Sequence, residues 1–136
     1  MRELRLAVLV VLICSFASCS QHSEKDNYLL YLEEILGEVA DESQRYVLVS
    51  DYSCSTCKEQ VYREIEEKST TKVYIILQPR NKVILQDRFQ EAIRENRLII
   101  DTVRLNQERG VIIDKAVELQ FQDGKWVLRE LDGVIE

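Results

Sequence analysis

Two cysteines offer the best chemistry in this chain. They lie in residues 46–60, YVLVSDYSCSTCKEQ, where a short apolar strand runs into a loop, Cys54 and Cys57 follow, and an amphipathic helix begins at once. A thiol at a helix N-terminus meets the positive end of the macrodipole and unpaired backbone N–H groups, and both favour thiolate over thiol. A second thiol one turn further on can close a disulfide with it, which meets the local requirement for reversible dithiol–disulfide exchange. Lys58 either adds favourable charge or lies on the solvent face. Asp51 and Glu59 oppose a thiolate, so moderate activation of Cys54 is expected. Tyr52 and Ser53 line the approach to the sulfur or form a plain loop.

Other chemistries fit less well. A purely structural Cys54–Cys57 disulfide closes a very small ring, which constrains few unfolded conformations and adds little stability. Structural zinc takes four ligands, and the single histidine, His22, lies in a polar segment near the N-terminus. That placement also rules out a Ser-His-Asp or Cys-His arrangement. Asp51, three residues before Cys54, opposes a peroxidatic thiolate. Glu33-Glu34 and Glu66-Glu67 read as solvated helix faces. Neither a metal nor a cofactor is expected.

The N-terminus speaks to compartment. Arg2 and Arg5 precede an unbroken apolar run, LAVLVVLI over residues 6–13, and Phe16-Ala17-Ser18 then puts small residues before Cys19. The run is shorter than the ~20 residues a membrane-spanning helix needs and fits the core of an export signal. The pattern resembles the lipobox of bacterial lipoproteins, with Cys19 as the lipidated residue. Cys14 does not fit that role, because Leu12 and Ile13 before it are bulky where small side chains are needed. An ordinary secretory signal and an uncleaved anchor are the alternatives.

The expected division is a signal at 1–18, a lipidated tether at 19–27 and one folded domain at 28–136. A bacterial envelope location, with the membrane reached through lipid, follows from it. Loss of the signal turns 18 basic and 24 acidic residues into 16 and 23. Such an acidic balance makes nucleic acid a poor partner. Cys54 and Cys57 then remain in an exported chain, where disulfides persist.

Residues 28–40 predict a helix with Leu29, Leu32, Ile35, Leu36 and Val39 inward. Residues 46–50 read as a strand buried on both faces, and 58–66 as a surface helix with Val61 and Ile65 inward. Residues 72–77 form a strand that Pro79 ends. Residues 83–96 predict one helix with Phe89, Ala92 and Ile93 inward, and 98–100 a short strand. Asp123-Gly124 joins strands at 116–121 and 125–131 in a hairpin. The order α-β-α-β-α-β-β-β implies an α/β fold with a mixed sheet.

That order, with Cys-x-x-Cys between a central strand and its helix, resembles the thioredoxin fold, and in particular the membrane-anchored TlpA-type and redoxin-like thiol–disulfide oxidoreductases. The resemblance spans residues 46–131 and implies a thioredoxin-like three-layer fold with a C-terminal β-hairpin. It also implies Cys54 as nucleophile, Cys57 as resolving thiol, and protein thiols or disulfides of the envelope as partners. The chain departs from that pattern in five places, the first being Ser55-Thr56 between the cysteines, unlike the Gly-Pro of cytosolic thioredoxins. Ser53 stands where an aromatic residue is usual, and Leu48 where a buried acid is. Ala116, after Lys115, aligns with the cis-proline that faces the disulfide, and the usual closing helix is lacking. The alternative is a non-catalytic thioredoxin-like adaptor that binds an envelope protein, its disulfide structural or vestigial.

Overall fold

The structure, a computed structural model, describes residues 23–68 and 71–131. The expected signal, Cys14, Cys19 and His22 lie outside the described residues. Strands β1 (Arg45–Ser50), β2 (Lys72–Leu77) and β3 (Leu98–Ile100) run parallel, while β4 (Ala116–Gln122) pairs antiparallel with both β1 and β5 (Lys125–Leu131). The five form one mixed sheet in the order β3-β2-β1-β4-β5. The β4–β5 hairpin turns on Asp123 and Gly124, both at positive φ (51° and 77°), as a two-residue turn matched to strand twist requires.

β1 lies at the centre of the sheet because its sequence tolerates cover on both faces. Tyr46 and Leu48 point to one side, packing with Tyr31, Leu32, Ile75 and Leu119. Val47 and Val49 point to the other, among Val61, Tyr62, Ile65 and Phe89. The first face is covered by α1 (Glu24–Leu36), and the second by α2 (Ser55–Glu67), α3 (Lys82–Arg88) and α4 (Gln90–Arg94). A short α5 (Leu105–Glu108) lies against α1. The molecule is thus α/β with a five-stranded mixed sheet ending in a hairpin, and among the described residues no helix follows β5.

The elements differ from expectation in three places. The first helix starts at Glu24, so residues 24–27 belong to its first turn and not to a tether. Ser23 caps it: its Oγ accepts the Asp26 N–H (3.4 Å), and the Asp26 carboxylate accepts the Ser23 N–H (3.1 Å), a reciprocal box that satisfies two orphan donors. Gly37, at φ 72°, ends it. Tyr28, Tyr31 and Leu32 carry the buried face, and Val39, beyond the cap, is 79% exposed.

Residues 83–96 do not make one helix. The chain breaks at Phe89 (φ −109°), whose ring packs edge-on to Tyr62 at 5.1 Å between centroids. The inward placement of Phe89 and Ala92 holds, and Ile93 is half-buried. The third difference is α5, whose Leu105 and Asn106 N–H groups donate to the buried Asp101 carboxylate and which carries little hydrophobic periodicity of its own.

Leu48 is fully buried, so Leu48→Ala is expected to cost about 2–5 kcal/mol through lost transfer energy and the cavity left behind. Val39→Ala should stay within about 0.5 kcal/mol. Urea unfolding of the two variants checks the contrast.

Candidate functional site

The site begins where β1 runs out. Asp51 N–H donates to Leu77 O (3.0 Å), one last sheet-like bond before the chain turns. Two buried serines then tie the turn. Ser53 N–H donates to Ser50 O (2.9 Å), while the Ser53 hydroxyl accepts the Ser50 N–H (3.2 Å) and the Ser50 hydroxyl accepts the Tyr52 N–H (3.1 Å). Ser53 is therefore a latch inside the loop and not a lining residue, whereas Tyr52 is 62% exposed.

Cys54 is the N-cap of α2, and its Sγ accepts the Cys57 N–H at 3.3 Å. The two sulfurs are joined in a disulfide, with Cα atoms 5.5 Å apart. Cys54 is exposed and Cys57 half-buried. The first turn of α2 carries no acidic residue. A thiolate at Cys54 would therefore meet the helix head without a carboxylate from that turn against it.

The charges expected to act on Cys54 are spent elsewhere. Lys58 Nζ lies 3.2 Å from both the carbonyl oxygen and Oδ1 of Asp51, with its side chain largely buried. It neither sits on the solvent face nor stands free for a thiolate. Glu59 reaches Arg88 at 3.7 Å. The Asp51 carboxylate, in a residue only 7% exposed, receives two groups besides Lys58: the Tyr62 hydroxyl (3.2 Å) and the Arg80 N–H (2.8 Å). Burial pushes its carboxyl up, but the Arg80 N–H, the Lys58 ammonium and the Tyr62 hydroxyl outweigh that and hold it below the usual carboxylate range. Burial and the Asp51 charge together raise the Tyr62 hydroxyl.

Sequence reasoning saw Asp51 only as an opposing charge. Its neutralised, organising role depends on Tyr62 and Arg80, which are distant in the chain, and no local pattern announces it.

From the other side, Asp114 O accepts the Cys54 N–H at 3.4 Å. The segment before β4 therefore faces the disulfide loop without a proline. Ala116 is buried at the start of β4, Lys115 is exposed and lies 3.5 Å from Glu130, and no described peptide bond is cis.

Beside Tyr52 opens a cleft of about 460 Å3, lined among others by Gln78, Arg80, Lys82, Asp101 and Arg104. It sits beyond the C-terminal ends of the parallel strands, where open α/β sheets bind ligands. No group of His, Cys, Asp and Glu among the described residues is arranged to hold a metal ion, and no described helix is long and apolar enough to cross a membrane. Comparison with known proteins found no matching family model, curated protein or solved structure.

Because the folded Asp51 carboxyl lies below its unfolded value, its charge contributes stability above the ordinary carboxylate pKa and loses it as pH falls through the folded value. Asp51→Asn should cost about 1–3 kcal/mol at pH 7, with the gap from wild type narrowing in acid. Urea unfolding at pH 7 and in acid measures it. A gap independent of pH would mean that shape matters there and charge does not.

Proposed function

We propose that this chain is a lipid-anchored envelope protein of thioredoxin-like fold that exchanges disulfides with protein partners through Cys54 and Cys57. The observation that carries this reading is the seat of Cys54. It is exposed at the cap of α2, accepts the Cys57 N–H and lies within one turn of the second sulfur. The sheet order and the terminal hairpin are compatible with the fold, and the apolar run at 6–13 followed by Ala17-Ser18-Cys19 supports the anchor.

The reduced pair acts as follows. The Cys54 thiolate attacks one sulfur of a partner disulfide, forming a mixed disulfide and releasing the partner's first thiolate, which takes up a proton. Cys57, losing its proton, attacks Cys54 Sγ and expels the second thiolate. The partner gains two electrons and Cys54–Cys57 is left oxidised. The reverse sequence oxidises a partner dithiol. The oxidised pair and the free first turn of α2 suit either direction.

A second reading is favoured by the network around Asp51. Lys58, Tyr62 and Arg80 hold the loop through Asp51 by contacts that do not involve the disulfide, as an adaptor with an incidental disulfide would need.

In dithiothreitol or glutathione buffers, Cys54 and Cys57 should titrate together at one potential. A Cys57→Ser variant should accumulate mixed disulfides through Cys54. A pair that never reduces at envelope potentials, or a Cys57→Ser variant that traps no partner, favours the adaptor. For the anchor, labelled palmitate should enter the wild-type chain and fail to enter Cys19→Ser. Equal labelling of both would remove the lipoprotein assignment.

A further inference from the structure

The cleft beside Tyr52 is cationic in a chain whose formal charge is −6. Arg80, Lys82 and Arg104 line it, and among the described residues none of these three side chains is paired with a carboxylate. The acid in its lining, Asp101, is fully buried and already engaged. It accepts the Tyr31 hydroxyl and the N–H groups of Val103, Leu105 and Asn106. One buried carboxylate facing three cations leaves the cleft net positive.

Arg80 is held in place, and so is the backbone that carries Arg104. The Arg80 guanidinium lies 4.5 Å from the centroid of the Tyr52 ring, and its backbone N–H is fixed on Asp51. Arg104 sits at φ 61°, at the crest of a loop wound around Asp101 Oδ1 through the N–H groups on either side of it. Cations ordered before binding lose less entropy when an anion arrives.

The surroundings say which kind of anion. Tyr52, which lines the cleft, is exposed, and so are Val83, next to Lys82 in the chain, and Val103, next to Arg104. A lone inorganic ion needs the cations only. Exposed apolar side chains flanking unpaired cations suit a peptide that brings carboxylates and apolar side chains together.

Building on the exchange reading above, we propose that this cleft binds an acidic, extended peptide segment of the protein whose disulfide meets Cys54. Tyr52 joins the two places. It lines the cleft and stands two residues before Cys54, so the acidic segment lies close to the partner's own cysteine.

The test uses the full chain and two fluorescein-labelled, cysteine-free peptides, one alternating glutamate with leucine and one alternating glutamine with leucine. By fluorescence anisotropy the glutamate peptide should bind about tenfold tighter, an advantage that shrinks with added salt. The combined Arg80→Gln, Lys82→Gln and Arg104→Gln variant should bind both peptides alike. If that variant fails to fold, Lys82→Gln and Arg104→Gln alone should each weaken the glutamate peptide severalfold. Equal binding of the two peptides to wild type, or unchanged binding by the variants, overturns the proposal. Displacement of the peptide by equimolar succinate also overturns it, in favour of a small-anion site.

Cysteine-containing disulfide versions of both peptides separate the subsite from the exchange chemistry. Selective binding without thiol exchange leaves the subsite standing and removes the redox function. Exchange at equal rates, with no selectivity in binding, removes the subsite alone.

Discussion

The buried carboxylate of Asp51 is the interaction on which the rest of the site depends. It joins the end of β1 to α2 through Lys58 and Tyr62, and to the segment leaving β2 through the Arg80 N–H. A carboxylate so placed is costly to bury unless donors surround it. Three donors from two other parts of the chain meet that condition, and the same contacts that neutralise it hold the disulfide loop against the sheet. The charge of Lys58 is consumed in the process, so the environment of Cys54 is governed by the helix head and not by neighbouring side-chain charges.

A second aspartate repeats the device at the end of β3. Asp101 has no exposed surface and collects a tyrosine hydroxyl and three backbone N–H groups. It ties the loop leading to α5 back to Tyr31 on α1. The parallel arrangement of β1, β2 and β3 sends all three following loops to one edge of the sheet. Cys54, Arg80 and Arg104 arrive on those three loops, one from each strand. Two buried carboxylates thus give order to an edge that short loops alone would leave loosely defined.

Much of this could be read from local patterns. The Cys54–Cys57 spacing after a continuous apolar strand, the Asp123-Gly124 turn and the β-prone runs at 72–77 and 98–100 each have a short-range physical cause. The start of α1 had a readable signal too, in Ser23-Glu24-Lys25-Asp26, but the polar composition of the segment masked it. The break at Phe89 had none. It arises because the ring is drawn onto Tyr62 from another helix. Asp51 was legible as a charge but misread in effect, since its partners Tyr62 and Arg80 lie 11 and 29 residues away.

The amino-acid sequence by itself determined the elements whose causes are local: the strand–loop–helix unit that puts one cysteine at a helix cap with another a turn later, and the hairpin that closes the sheet. Tertiary structure alone decided where the charges act. Whether Lys58 faces a sulfur or a carboxylate, and whether Arg80, Lys82 and Arg104 scatter or meet in one cleft, depends on which strands become neighbours. Coulomb energies depend on distance and burial, and neither is set until the sheet has assembled.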